Sequence, residues 1–322
     1  MTLASTIDNP APFGAIEEDI RTADGVRLRA VFWTPANARR GTIAILQGRG
    51  EFVEKYFEVA RDLLARGFAV AALDWRGQGG SERVLRNARK GHVDDFSQFE
   101  SDLDAFVAQV LEPHCPRPWF GLGHSMGAAV LVIVDAEGRC PFERLVLTSP
   151  MIAVKGIDHR GSARYVVGVL DALGFGGAFA PRNGAETFWS RPFEGNVFTT
   201  DAKRFARISG LTQAAPHLFL GGPTVGWTHA AFRAMRRFDD PMFPRHASTP
   251  TLIIASGADR VTDCAAAERF AVRLRGGRII VIEGAEHEIM FERDALRDQF
   301  WAAFDVFVPG SAAQASQAAA VP

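Results

Sequence analysis

Short apolar runs bounded by polar turns recur along this chain, and most are separated by longer stretches in which apolar residues return every three or four positions. A continuous run of strand length marks a strand buried on both faces, and the longer period marks an amphipathic helix. The runs Thr42 to Leu46, Ala69 to Leu73, Trp119 to Leu122, Leu145 to Thr148, Thr251 to Ala255 and Arg278 to Ile282 therefore predict strands. Helices are expected near Lys55 to Arg66, Phe96 to Leu111, Asp263 to Arg275 and Asp294 to Phe307, with another over the apolar run Ala128 to Asp135. Ahead of them, Glu18 to Thr22 and Val26 to Trp33 flank Asp24-Gly25, a two-residue hairpin signal. Strands joined through helices pair in parallel, because a parallel pair needs a crossover. The chain is thus read as an α/β fold, a mostly parallel sheet with helices on both faces.

The alternation stops near Pro150 and resumes at Thr251. The intervening stretch is rich in Gly, Phe, Trp and Arg, with helical patches at Ala202 to Ser209 and His229 to Phe238. A loop of that length with no structure of its own does not suit a compact domain. Residues 150–245 are therefore expected to form a helical cap, or lid, over the carboxyl edge of the sheet. The expected division is an N-terminal extension at 1–16, core at 17–149, cap at 150–245, core again at 246–309, and a disordered tail rich in Ala, Ser and Gln at 310–322.

Charge narrows the partners. Lys and Arg number 36 against 37 Asp and Glu, a formal charge of -1, which leaves no electrostatic footprint for nucleic acid. The 25 Phe against 2 Tyr favour apolar surfaces, in the core or in a pocket. Cys115, Cys140 and Cys264 are scattered, with no CxxC spacing and no His pair nearby, so reduced thiols are expected and not a disulfide framework or a metal site. The segment Met1 to Gly14 lacks a basic start and an apolar run, and no window reaches about 18 uncharged apolar residues. A cytoplasmic protein is expected, with peripheral contact with the inner face of a membrane left open. Oligomeric state is not readable from the pattern.

The chemistry concentrates at Gly123-His124-Ser125-Met126-Gly127, directly after one predicted strand and directly before a predicted helix. A G-x-S-x-G turn in that context exposes a serine hydroxyl beside the helix N-terminus, and the flanking glycines let strand and helix approach without Cβ clashes. A serine nucleophile needs a base. His287 lies in the loop after the strand Arg278 to Ile282, on the sheet edge shared with Ser125, where ligands gather in open α/β sheets. Asp259 lies just past the preceding strand, Thr251 to Ala255, and is favoured to orient His287. Asp263, its competitor, suits a helix N-cap better. His124 adjoins Ser125, but adjacent residues on an elbow point apart.

Oxyanion donors are expected from two backbone N–H groups, that of Met126 at the helix start and that of Arg49 in the loop Gln47-Gly48-Arg49-Gly50. The Arg49 side chain either meets an anionic substrate group or is structural. The glycine-rich stretch Asp74 to Ser81 lacks phosphate-loop spacing and is read as a structural turn in which Asp74 and Arg76 tie loops together.

Six segments carry a family likeness: GRGEFVEKY (Gly48 to Tyr56), DWRGQGGS (Asp74 to Ser81), KGHVDDF (Lys90 to Phe96), GHSMG (Gly123 to Gly127), GPTVGW (Gly222 to Trp227) and GAEHEIMFE (Gly284 to Glu292). The chain resembles the α/β-hydrolase superfamily from about Glu17 to Val308, within it the serine aminopeptidase S33-like hydrolases that include monoacylglycerol lipases, and most closely the bacterial lysophospholipase L2 group. The resemblance implies an α/β-hydrolase fold, a serine ester hydrolase without cofactor, and a nucleophile, acid and base on Ser125, Asp259 and His287. Gln47 departs from it, since monoacylglycerol lipase-like relatives carry histidine there. The donor in that loop is a backbone N–H, so the change bears on substrate choice more than on catalysis.

The expected reaction is hydrolysis of a lysophospholipid or monoacylglycerol through an acyl-enzyme, with Phe188, Trp189 and Trp227 as candidate acyl-chain contacts, among cap aromatics that also include Phe193, Phe198 and Phe219. Alternatives are a short-chain carboxylesterase and a proline-type aminopeptidase, for which Glu186, Glu194 or Asp201 could hold the substrate amine. From another class comes a catalytically silent hydrolase fold that binds a ligand.

Overall fold

The computed structural model describes residues 3–157 and 161–310. The tail expected at 310–322 therefore lies, beyond Gly310, outside the described residues. Eight strands form one sheet: β1 (Ile16–Arg21), β2 (Arg27–Trp33), β3 (Thr42–Leu46), β4 (Ala69–Asp74), β5 (Trp119–His124), β6 (Arg144–Thr148), β7 (Thr251–Ser256) and β8 (Gly277–Ile282). Their order is β1-β2-β4-β3-β5-β6-β7-β8, antiparallel at β1/β2 and β2/β4 and parallel elsewhere. The largely apolar strands β3 and β4 are buried at every position, as a sheet covered on both faces requires.

The connections explain where a site must lie. From β3 the chain crosses to β4 on one side, then returns to place β5 on the other side of β3. Loops leaving β3 and β5 thus diverge, and the crevice between them at the strands' carboxyl ends is where open α/β sheets bind ligands. The β3 loop holds Gln47 to Glu51 and the β5 loop holds Ser125.

The core helices are α1 (Phe57–Ala65), α2 (Ser97–Phe106) and α3 (Met126–Ala136). Helix α1 begins later than the expected Lys55 because Val53–Tyr56 forms a tighter 3-10 turn first. Helix α3 is buried from Met126 through Asp135, which its uniformly apolar sequence demands.

Between β6 and β7 run α4 (Ser162–Leu170), α5 (Ala202–Ala214) and α6 (Val225–Arg237). Helices α5 and α6 extend the two expected patches, each with a side-chain cap: Asp201 accepts from Lys203 and Arg204 N–H, and Thr224 from Trp227 N–H. Helix α4 was not expected. Its Ala163, Val167 and Leu170 pack inward at helical spacing, while Tyr165, Val166 and Val169 are exposed. The last core helices are α7 (Cys264–Ala271) and α8 (Asp294–Phe307).

Candidate active site

Ser125 sits between β5 and α3 with φ 50° and ψ -111°, a conformation L-residues rarely hold. Close packing maintains it. A Cβ on Gly127 would come within 2.2 Å of the Leu46 carbonyl oxygen, and one on Gly123 within 2.9 Å of Ala128 Cα, so only glycine lets α3 approach β3 and β5 this closely. The Ser125 N–H donates to Thr148 O at 3.0 Å, and its carbonyl accepts from Ala129 and Met151 N–H, both at 3.1 Å.

His287 and Asp259 reach the same edge from the loops after β8 and β7. His287 Nδ1 and Asp259 Oδ2 are 2.8 Å apart, and both residues are buried. The remaining Asp259 acceptors take Val261 N–H at 2.7 Å, Thr262 N–H at 2.9 Å and the Thr262 hydroxyl at 2.7 Å. Burial pushes the Asp259 pKa up, but His287 and the Thr262 donors outweigh it and hold the carboxyl below its ordinary value. Asp263, the competing acid, accepts from Ala266 N–H at 3.1 Å as the N-cap of α7.

Ser125 and His287 line one cavity of about 270 Å³. Gly48, Arg49, His124 and Glu288 from the core also line it, and the chain between β6 and β7 contributes Trp189, Phe198, Trp227, Phe232 and Met235. The cavity wall thus includes Trp189 and Trp227 as expected but not Phe188. The Phe188 ring packs behind Phe198, centroids 4.4 Å apart, and Phe198 takes the inner position. The reason is a backbone bond: Glu288 N–H donates to the Phe198 carbonyl at 2.8 Å, fixing Phe198 against the loop that carries His287.

Of the two expected oxyanion donors, Met126 follows Ser125 directly and Arg49 lines the same cavity. Met126 is the first residue of α3, so its N–H has no carbonyl one turn earlier to meet. In the β3 loop, Gly48 N–H donates to Glu51 Oε2 at 2.5 Å and Gly50 N–H to Gln78 Oε1 at 3.1 Å. Among the described residues no acceptor takes the Arg49 N–H between them. The Asp74 to Ser81 turn secures this loop: Gln78 Nε2 donates to Gly48 O at 2.8 Å, and Trp75 Nε1 to Gln47 O at 2.9 Å. Asp74 holds Arg29 Nε at 2.8 Å and Val53 N–H at 2.9 Å, while Arg76 spans Asp102 and Asp24, so this turn does tie loops together.

Behind the cavity lies a charge network that the sequence reading missed. Lys55 Nζ is enclosed by Glu51 Oε1 and by Glu288 Oε1, the latter at 2.6 Å, and Tyr56 Oη donates to Glu51 Oε2 at 2.7 Å. His124 bonds the Thr148 hydroxyl through Nδ1 at 3.0 Å and turns Nε2 toward Glu288 Oε2 at 3.3 Å. Glu51, His124 and Glu288 bring ligand-type atoms within 4.8 Å of one another. The Lys55 ammonium already stands between the two carboxylates, so the donor set does not suit a divalent cation. Ser149, in a left-handed conformation with φ 43°, donates to the His287 carbonyl at 2.8 Å and braces the loop from below. The only signal for the network in the sequence was the presence of ionisable residues inside otherwise apolar motifs.

Of the carboxylates considered for an amine site, only Glu186 comes near, lining a space that adjoins the Ser125 cavity. Glu186 pairs with Arg191 at 3.2 Å on the surface, Glu194 is exposed, and Asp201 caps α5. None lines the Ser125 cavity.

An eight-stranded sheet of this order, with an elbow serine and an acid-held histidine at one edge, defines an α/β-hydrolase. Comparison with known proteins places it further: residues 37–294 match the family "Serine aminopeptidase, S33", and the chain belongs to that family. It is 33% identical to lysophospholipase L2 of Escherichia coli strain K12 over 297 residues, covering 87% of this chain and 84% of that one. A carboxyl esterase of Bacillus coagulans in complex with glycerol superposes with a TM-score of 0.72 at 19% identity, over 93% of this chain and 99% of the other. A monoglyceride lipase variant of Saccharomyces cerevisiae superposes with a TM-score of 0.70 at 17% identity, over 92% and 97%. The structural likenesses bear on the fold alone. The family and the sequence relatives together make this chain an ester hydrolase. No helix among the described residues is long and apolar enough to cross a membrane.

Proposed function

We propose that this hydrolase cleaves the acyl ester of a lysophospholipid or monoacylglycerol through an acyl-enzyme on Ser125. His287 takes the hydroxyl proton and returns it to the leaving alcohol, then repeats the cycle with water. Asp259 fixes the imidazole with Nδ1 protonated and stabilises the imidazolium. The N–H groups of Arg49 and Met126 receive the oxyanion. Residues 150–245 act as the cap, whose rings at Trp189, Phe198 and Trp227 accept the acyl chain. The observation that carries this reading is the shared cavity: an elbow serine and an aspartate-held histidine open into one space walled mainly by apolar cap side chains. The exposed Val166, Val169, Leu173 and Phe175 support contact of the cap with a lipid surface.

The test is hydrolysis of lysophosphatidylcholine, lysophosphatidylethanolamine, monoacylglycerol, p-nitrophenyl butyrate and proline p-nitroanilide by wild type and Ser125→Ala. Long-chain lipid esters are expected to be the best substrates, with a loss of about a thousandfold or more in the variant. Selective cleavage of the proline anilide would move the assignment to a peptidase. Inactivity across the panel would favour a ligand-binding role.

A further inference from the structure

Arg49, which is only partly exposed, differs from the buried arginines of this protein. Arg29 lies between Glu54 and Asp74, Arg76 between Asp102 and Asp24, and Arg297 on Asp62. Each has a carboxylate to offset the cost of withdrawing a guanidinium from water. Arg49 has none among the described residues. Its Nη2 donates to the Gly221 carbonyl at 3.1 Å, its guanidinium stacks 5.1 Å from the Trp227 ring centroid, and its Nε is shielded from solvent with no acceptor. Burial pushes its pKa down to about 10, with no acid acting to raise it, so the group is still a cation at neutral pH.

The side chain stands where two spaces meet. Arg49, Trp189, Phe198 and Pro223 line the apolar cavity of Ser125 and also a vestibule of about 660 Å³, whose wall includes Arg182, Asn183 and Glu186, the last already paired with Arg191. An acyl chain suits the first space and a polar headgroup the second. The Arg49 N–H is the proposed oxyanion donor, and its guanidinium lies one three-methylene stem away. In an acylated glycerophosphate the ester carbonyl and the phosphate are likewise separated by the glycerol carbons.

We propose that the Arg49 guanidinium receives the phosphate of the substrate headgroup, which makes Arg49 the residue that selects a glycerophosphate ester over an uncharged glycerol ester. The inference rests on the acyl-ester reading above and adds the counter-ion that the fold omits. A phosphate oxygen would pair with the accessible side of the guanidinium in a charge-assisted bond while Trp227 keeps its plane in place.

The test compares kcat/KM for oleoyl lysophosphatidic acid and for mono-oleoylglycerol in wild type, Arg49→Lys and Arg49→Gln. The selectivity ratio is the readout, so a general loss of activity in the variants cancels. The ratio is expected to fall by about ten- to a hundredfold in Arg49→Gln, mostly through KM, and to recover in part in Arg49→Lys. An unchanged ratio in Arg49→Gln overturns the proposal. If wild type hydrolyses neither lipid, the acyl-ester reading fails by itself, and the proposal is decided by calorimetric binding of lysophosphatidic acid to Ser125→Ala and to Ser125→Ala/Arg49→Gln. Equal affinity in the two overturns it. Inorganic phosphate forms a separate arm: if it inhibits both lipids alike in wild type and not in Arg49→Gln, while the selectivity ratio stays put, the site serves free anions and the headgroup assignment falls.

Discussion

His287 and Glu288 are neighbours in sequence, yet they join two buried charge systems organised in opposite ways. Around His287, one carboxylate faces a titratable ring, and every other acceptor on that carboxylate is taken by a neutral donor: two backbone N–H groups and the Thr262 hydroxyl. Around Glu288, two carboxylates enclose a permanent cation, Lys55, and His124 stands at the margin. The first arrangement leaves Asp259 with a charge to offer when His287 is protonated. The second satisfies its charges internally, which suits a brace between the β3 loop and the His287 loop. A group's role follows from what its partners have already neutralised.

Breaking the first system should have the largest effect. In Asp259→Asn the amide faces Nδ1 with a donor in place of an acceptor, favouring the tautomer that puts the proton on Nε2, where the base must be free. We expect kcat to fall on the order of ten-thousand-fold, with the urea midpoint little changed. Steady-state rates and unfolding curves on the same preparation check both halves. A loss under tenfold would mean that something other than Asp259 sets the His287 tautomer.

Breaking the second system should act on the fold. Lys55→Met leaves Glu51 and Glu288 buried and facing each other, and removing one partner of a buried ion pair costs about 3–5 kcal/mol. Urea denaturation should show that loss, and Lys55→Met/Glu288→Gln should recover part of it by removing one of the stranded charges. If the single variant were as stable as wild type, Lys55 would not be the charge that holds the two loops together.

The contrast also explains what the sequence made legible. Strands β3 to β7 were readable because burial on both faces leaves a continuous apolar run, and Ser125 and Asp259 because each follows such a run; His287 follows β8, an edge strand buried only in part but still apolar in sequence. The Lys55 network was not, because Lys55 and Glu288 stand 233 residues apart and no local period announces that two distant charges meet. The exchange of Phe188 for Phe198 has a similar origin. In an irregular insertion rich in aromatics, the ring that faces the cavity is chosen by one long-range backbone bond, from Glu288 N–H to Phe198 O. Helix α4 escaped although Ala163, Val167 and Leu170 mark its inner face, because exposed apolar residues at Tyr165, Val166 and Val169 blur that period.

The smallest effect, and the one that sharpens the comparison most, is the pH dependence contributed by His124. The ring faces Glu288 and Glu51 on one side, Lys55 beyond them, Thr148 at Nδ1, and the His287 ring with centroids 4.8 Å apart. Burial and Lys55 disfavour its protonated form, but the two glutamates prevail and raise its pKa above the ordinary histidine value. A raised folded-state pKa means that the native state binds the proton more tightly than the unfolded chain does. The stabilisation is then complete below the unfolded value of about 6.5 and is lost as pH rises through the folded-state pKa. Urea unfolding should therefore show stability declining on the alkaline side of that window, and His124→Gln should flatten the decline while lowering the acid-side plateau. An identical alkaline slope in the variant would assign the titration to another group and leave Lys55 as the sole counter-ion of the glutamate pair.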